Sequence, residues 1–229
     1  MTDRIAFLSH LASQLGRPLR TLPTARPEPV HRLPETRLTG MTENELLSLF
    51  LIRSEQAGSR NCVTTAGQLS GVVAKLCQEY GAPVVLADMS GSGLPDFRSI
   101  LLPRQHITVQ YPPDGKKNTR NARNARTGIV YAEYGLAESG SVVLFSSPRQ
   151  GRSLSLLPDT TLFIIRKSAL IPSVAQLAAR LDGMVELGLV LPTCINIISG
   201  PSCTSDIELI KVIGVHGPAN SVCVVIDDE

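Results

Sequence analysis

Apolar residues recur at helical spacing near the start of the chain, at Ile5, Leu8, Leu11, Ala12 and Leu15. Asp3 and His10 interrupt them and no small-residue cleavage site follows. Residues 1–16 therefore read as an amphipathic helix rather than a signal peptide. The pattern then breaks. Residues 17–40 hold Pro18, Pro23, Pro27, Pro29 and Pro34, which exclude a long helix or a central strand. This stretch reads as an extended arm running over the surface or reaching a neighbouring subunit. Thr42 and Glu45 have the spacing of a capping box, and Leu46, Leu49, Phe50 and Arg53 continue a helix behind it.

From residue 61 onward short apolar runs alternate with helical periodicity. Strands are expected at 61–65, 83–87, 106–111, 128–133, 141–145, 161–166, 194–199 and 221–226. Helices are expected at 67–80, 96–102, 118–126 and 172–187, with a short one near Thr204. The two strands at 128–133 and 141–145 read as joined by a tight connection. This alternation predicts an α/β fold with a mainly parallel sheet. Residues 1–60 form the N-terminal helices and Pro-rich arm, and residues 61–229 one α/β domain. Ligands of such sheets bind beyond the carboxyl ends of the strands, near a switch in strand order.

Composition narrows the function. Apolar residues are 43% and charged residues 18%, which indicates a globular chain. The net charge is +2 and aromatic residues are 4%, which argues against a broad nucleic-acid surface. Lys116, Lys117, Arg120, Arg123 and Arg126 are a local basic stretch, read as a solvated helix face in preference to a nucleic-acid contact. The five cysteines, Cys62, Cys77, Cys194, Cys203 and Cys223, lack the spacing of zinc or iron–sulfur ligands and read as buried thiols. No apolar run reaches the roughly 20 residues of a membrane span, so a cytoplasmic location is expected.

Four stretches carry candidate chemistry. In the first, Ser139, Gly140 and Ser141 could turn their amides into an anion or oxyanion nest beside Glu138, a candidate base or nucleophile. A hairpin turn with a solvated glutamate is the alternative. In the second, Arg152 offers a fork for a carboxylate or phosphate, or pairs with Asp159 or Glu138. In the third, a strand ends in Ser199, Gly200 and Ser202 before a helix start near Thr204, with Asp206 orienting donors. In the fourth, His216 between two glycines is a candidate acid–base residue or a structural histidine.

Taken in order, four segments resemble the lactate utilization protein C family, whose domain is the LUD domain. They are Gly-Leu-Ala-Glu-Ser-Gly-Ser-Val-Val-Leu, Arg-Ser-Leu-Ser-Leu-Leu-Pro, Ile-Ser-Gly-Pro-Ser-Cys-Thr-Ser-Asp-Ile-Glu and Gly-Val-His-Gly-Pro. Leu-Gly-Arg-Pro-Leu-Arg at 15–20 is similar to the enterobacterial members. The resemblance implies a three-layer fold of the NagB/RpiA/CoA-transferase type. It also implies a cytoplasmic subunit of an L-lactate-oxidising system. Its partners would be two iron–sulfur proteins, and it would have no redox cofactor, cluster or metal of its own. An acyl-transfer or phosphate-substrate enzyme using Glu138 is the alternative the same superfamily implies. Ser139 and Ser141 stand where the family commonly has threonines, which keeps the hydroxyls. Cys203 replaces an arginine common in the family, which removes a phosphate contact.

Overall fold

A computed structural model describes residues 3–20, 27–90, 92–98, 107–109, 114–205 and 210–228. The chain divides into two compact units, Met1–Leu33 and Pro34–Glu229. The first holds α1 (Arg4–Gln14), capped by Asp3, whose carboxylate accepts from the Ile5 amide at 2.9 Å. A short helix, α2 (Leu33–Thr36), then lies inside the stretch expected to be extended. Pro34 sits in its first turn, where an amide hydrogen has no helical acceptor to lose.

The first long helix of the second unit is α3 (Glu43–Gln56). The expected capping box is formed, with the Thr42 amide donating to Glu45 at 2.7 Å and the Glu45 amide donating to the Thr42 hydroxyl at 3.3 Å. There follow β1 (Arg60–Thr65), α4 (Leu69–Tyr80), β2 (Val84–Leu86), β3 (Ile107–Val109), α5 (Gly115–Arg123) and β4 (Thr127–Tyr131). Then come β5 (Tyr134–Leu136), β6 (Ser141–Phe145), α6 (Ser153–Leu156), β7 (Thr160–Arg166) and β8 (Leu170–Ile171). The last elements are α7 (Val174–Glu186), β9 (Ile195–Ile198), β10 (Cys203–Thr204), β11 (Val212–Ile213) and β12 (Asn220–Asp227).

Six strands form a wholly parallel sheet in the order β1-β12-β7-β4-β2-β3. The interior strands β12 and β7 carry continuous apolar runs through their middles, as burial on both faces demands, with polar residues only at their ends. Leu162, Ile164 and Ile165 of β7 and Val222, Val224 and Val225 of β12 have no exposed surface. The architecture is mixed α/β with a mainly parallel central sheet, consistent with a three-layer fold.

A second sheet, β8-β5-β6-β9, was not separable from the first by pattern alone. The tight connection expected between the strands at 128–133 and 141–145 proves to be two structures. β4 stays in the central sheet, the chain crosses at Ala132 and Glu133, and β5 makes the hairpin with β6. Leu136, Val143, Ile171 and Leu177 form a small core where α7 covers this sheet. α3 ties the two sheets together, packing against β1 of one and β8 of the other.

Candidate functional site

β2 and β4 lie side by side, yet β2 is followed outward by β3 while β4 is followed inward by β7 and β12. Strand order therefore reverses between them, and loops leaving their carboxyl ends diverge and open a cleft. Its walls come from Asp88 and Ser90 beyond β2, Tyr131 and Glu133 at the end of β4, and Arg149 and Gln150 beyond β6. The space measures about 350 Å³ and is open to solvent.

Backbone contacts hold these walls in place. Gln150 acts as an extra strand partner for Tyr131, accepting from its amide and donating to its carbonyl, both at 2.8 Å. The Asp88 amide donates to the Arg149 carbonyl at 3.0 Å. Arg149 Nη1 donates to the Ser90 carbonyl at 2.6 Å, and its Nε stands 4.0 Å from Asp88 Oδ2. Asp88 Oδ1 accepts from the Ser90 hydroxyl at 2.7 Å and the Ser90 amide at 3.1 Å. Those two bonds, helped by the nearby Arg149 charge, hold the Asp88 carboxyl below its ordinary range.

Glu133 is the opposite case. Burial pushes its carboxyl above the ordinary range, and among the described residues no ion pair or side-chain hydrogen bond offsets that effect. Burial also raises the Tyr131 hydroxyl, with the Glu133 charge adding and Arg166 opposing. A raised carboxyl means that the folded chain holds the proton more tightly than the unfolded chain. The folded state is therefore favoured at low pH and loses that advantage as pH rises through the folded-state value. Glu133→Gln is expected to raise the melting temperature at pH 8 and to leave it nearly unchanged at pH 4. Thermal melts at the two pH values check this, and an equal effect at both would refute it.

The described residues singled out by sequence do not line this cleft and fall in three other places, one of which, at Arg152, borders it through Phe145 and Gln150. Ser139, Gly140, Ser141, Ser199 and Gly200 do come together. The Ser141 hydroxyl is 2.7 Å from that of Ser139 and 2.5 Å from that of Ser199. Gly140 and Gly200 lie against the end of α3, at Arg53, Ser54 and Ala57, and both have positive φ. The amides of Ser139 and Gly140 both donate to the Leu136 carbonyl, at 3.3 and 2.9 Å. They are used inside the hairpin turn, so the expected nest does not offer them to a ligand. Glu138 is paired with Arg37 at 2.5 Å.

Ser202 and His216 meet the β10–β11 ribbon. The Ser202 amide donates to the Pro218 carbonyl at 2.9 Å, and its carbonyl accepts from the Gly214 amide at 2.8 Å. His216 is exposed. Thr204 lies in β10, and the residues after it where the short helix was expected, 206–209, lie outside the described residues. Asp206 lies outside the described residues. Arg152 is exposed beside Ser146, Ser155 and Asn196. Neither expected acid partner reaches it, since Asp159 pairs with Arg126 at 3.2 Å and Glu138 with Arg37.

Of the five cysteines, Cys77 and Cys223 are buried with thiols pushed up to about 12 by desolvation. Cys62 and Cys194 are half-buried and Cys203 is exposed, so not all are the buried thiols expected. Among the described residues no group of three or more His, Cys, Asp or Glu side chains is placed to hold a metal ion. No described helix is long and apolar enough to cross a membrane.

Sequence reasoning missed Asp88, Tyr131, Glu133 and Arg149. The signal for the first three was present. Asp88 directly follows the strand expected at 83–87, and Tyr131 and Glu133 end the one expected at 128–133. The missing knowledge was that these two strands are neighbours.

Comparison with known proteins places the chain. The LUD domain family model matches residues 56–226. An uncharacterized protein of Escherichia coli K12, YkgG, is 43% identical, with 100% of each chain covered. Lactate utilization protein C of Geobacillus kaustophilus is 35% identical over 99% of this chain and 97% of its own. The protein of the same name from Bacillus subtilis is 33% identical over 98% and 96%. A DUF162 family protein from Deinococcus radiodurans, solved by crystallography, superposes with a TM-score of 0.61 at 22% identity. It covers 81% of this chain and 99% of its own, and shares the fold.

Proposed function

Because the chain belongs to the LUD domain family, we propose that it is a component of a lactate utilization system. In finer terms, it is a binding or assembly subunit of a cytoplasmic complex that oxidises L-lactate to pyruvate. Electrons would pass to iron–sulfur clusters in two partner proteins, and this chain would carry no redox cofactor. The carrying observation is the end-to-end match with proteins named for lactate utilization. The cysteine spacing supports the division of labour, because no cluster-ligand run occurs in the sequence. We also propose the NagB/RpiA/CoA-transferase-like assignment for the domain, supported by the open parallel sheet with a second sheet packed beside it.

The test is a tagged pull-down from lactate-grown cells under anaerobic conditions, with the eluate assayed for iron and lactate-dependent dye reduction. Iron and activity are expected to co-elute with the chain, and a deletion strain is expected to stop growing on L-lactate. A chain that elutes alone, together with normal growth of the deletion strain, would overturn the reading.

A further inference from the structure

Among the described residues at the carboxyl ends of β2, β4, β7 and β12, Asp88, Arg166, Lys167, Asp227 and Asp228 face opposite charges, and Glu133 does not. Lys167 is buried and stands 3.1 Å from Asp227. Arg166 stands 3.6 Å from Asp228, and Asp228 also accepts from the Ser168 hydroxyl at 2.7 Å. Asp88 is held by Ser90 and faces Arg149. Glu133 is half-buried, lines the cleft at the strand-order switch and has no recorded side-chain partner among the described residues. A half-buried carboxyl with no protein partner gives up part of its hydration, and a donor on a ligand in the cleft would replace the water that bonds it.

Arg149 is the complementary group. One of its nitrogens is spent on the Ser90 carbonyl, yet the side chain remains 51% exposed on the same cleft. Its planar fork has donors left for a carboxylate. Met89 and Phe145 add apolar wall between polar ends. A ligand that completes the arrangement therefore needs a carboxylate, a hydrogen-bond donor close to it and a short carbon skeleton. We propose that the cleft binds a small 2-hydroxy carboxylate, whose carboxylate is held by Arg149 and whose hydroxyl is held by Glu133. The carboxylate end follows from the cleft alone. The choice of hydroxyl over ammonium as the donor rests on the lactate-utilization reading.

The test is calorimetric titration of the full chain with L-lactate, with propionate, which lacks only the hydroxyl, and with L-alanine, which carries ammonium instead. L-lactate is expected to bind about tenfold more tightly than propionate, the worth of one good hydrogen bond. Glu133→Ala is expected to remove that preference while keeping propionate affinity, which also shows that the variant is folded. Arg149→Ala is expected to weaken both acids about tenfold or more, with Arg149→Lys intermediate. A merely structural role for Glu133 would not change the ratio between the two acids. The proposal is overturned by any of four results: no saturable L-lactate binding, equal affinity for the two acids in the unaltered chain, an unchanged ratio in Glu133→Ala, or a preference for L-alanine. These results are separate from the pull-down. Iron and activity co-eluting with a chain that binds no lactate would overturn the site and leave the system role standing. Lactate binding by a chain without partners would do the reverse.

Discussion

Gly140→Ala is expected to destabilise the folded chain by about 4 kcal/mol or more, at the severe end for a single substitution. Two costs add. Gly140 has φ of +63°, a conformation that L-residues adopt at about 1–2 kcal/mol. The added Cβ would also lie 2.0 Å from the Ser54 amide nitrogen and 2.4 Å from the Arg53 carbonyl carbon. Those are backbone atoms of α3 and no side-chain rotation relieves the overlap, so the helix or the hairpin must move. Moving either separates the Ser139, Ser141 and Ser199 hydroxyls that bond one another there. Gly183→Ala is the matched control. It lies inside α7, its Cβ would meet nothing within 4 Å, and alanine is the better helix former by about 1 kcal/mol. Urea unfolding of both variants checks the contrast. A loss below 1 kcal/mol for Gly140→Ala would mean that α3 does not rest on the hairpin.

Phe50→Ala is expected to cost about 3–5 kcal/mol, through lost transfer energy and the cavity left behind. Phe50 has no exposed surface and lies on α3 where the helix meets the second sheet. Its ring edge approaches Gly135 so closely that a Cβ there would sit 3.1 Å from Phe50 Cε2. The glycine in β5 and the phenylalanine in α3 thus fill one space between them. Phe50→Leu keeps much of the volume and is expected to cost about 1 kcal/mol. Chemical denaturation with both variants measures the difference, and equal losses would show that the site collapses freely around the smaller side chain.

The two substitutions mark the boundary of what local pattern conveys. α3 was legible because its signals are local: Thr42 and Glu45 cap it, and Leu46, Leu49 and Phe50 repeat along one face. The strands at β7 and β12 were legible because their apolar runs are continuous. The family was legible from motifs in order. The candidate site was only half legible. Ser139, Gly140, Ser141, Ser199 and Gly200 were found and do meet, but their meeting point is packed by α3, and the Ser139 and Gly140 amides are spent on Leu136. No local feature of Gly140 announces that a helix some ninety positions earlier will lie against it.

The sequence by itself determined the type of the longer helices and of the central strands, the mainly parallel character of the main sheet and the family. Each of these depends on residues within one or two turns of one another, or on motifs that survive without a fold. Only the tertiary structure decided that β4 and β6 belong to different sheets, that β2 and β4 are neighbours, and that Glu133 stands in the cleft without a side-chain partner among the described residues. Strand pairing is made between residues far apart in the chain. An apolar strand fits several neighbours equally well by pattern, and packing of the whole domain selects among them.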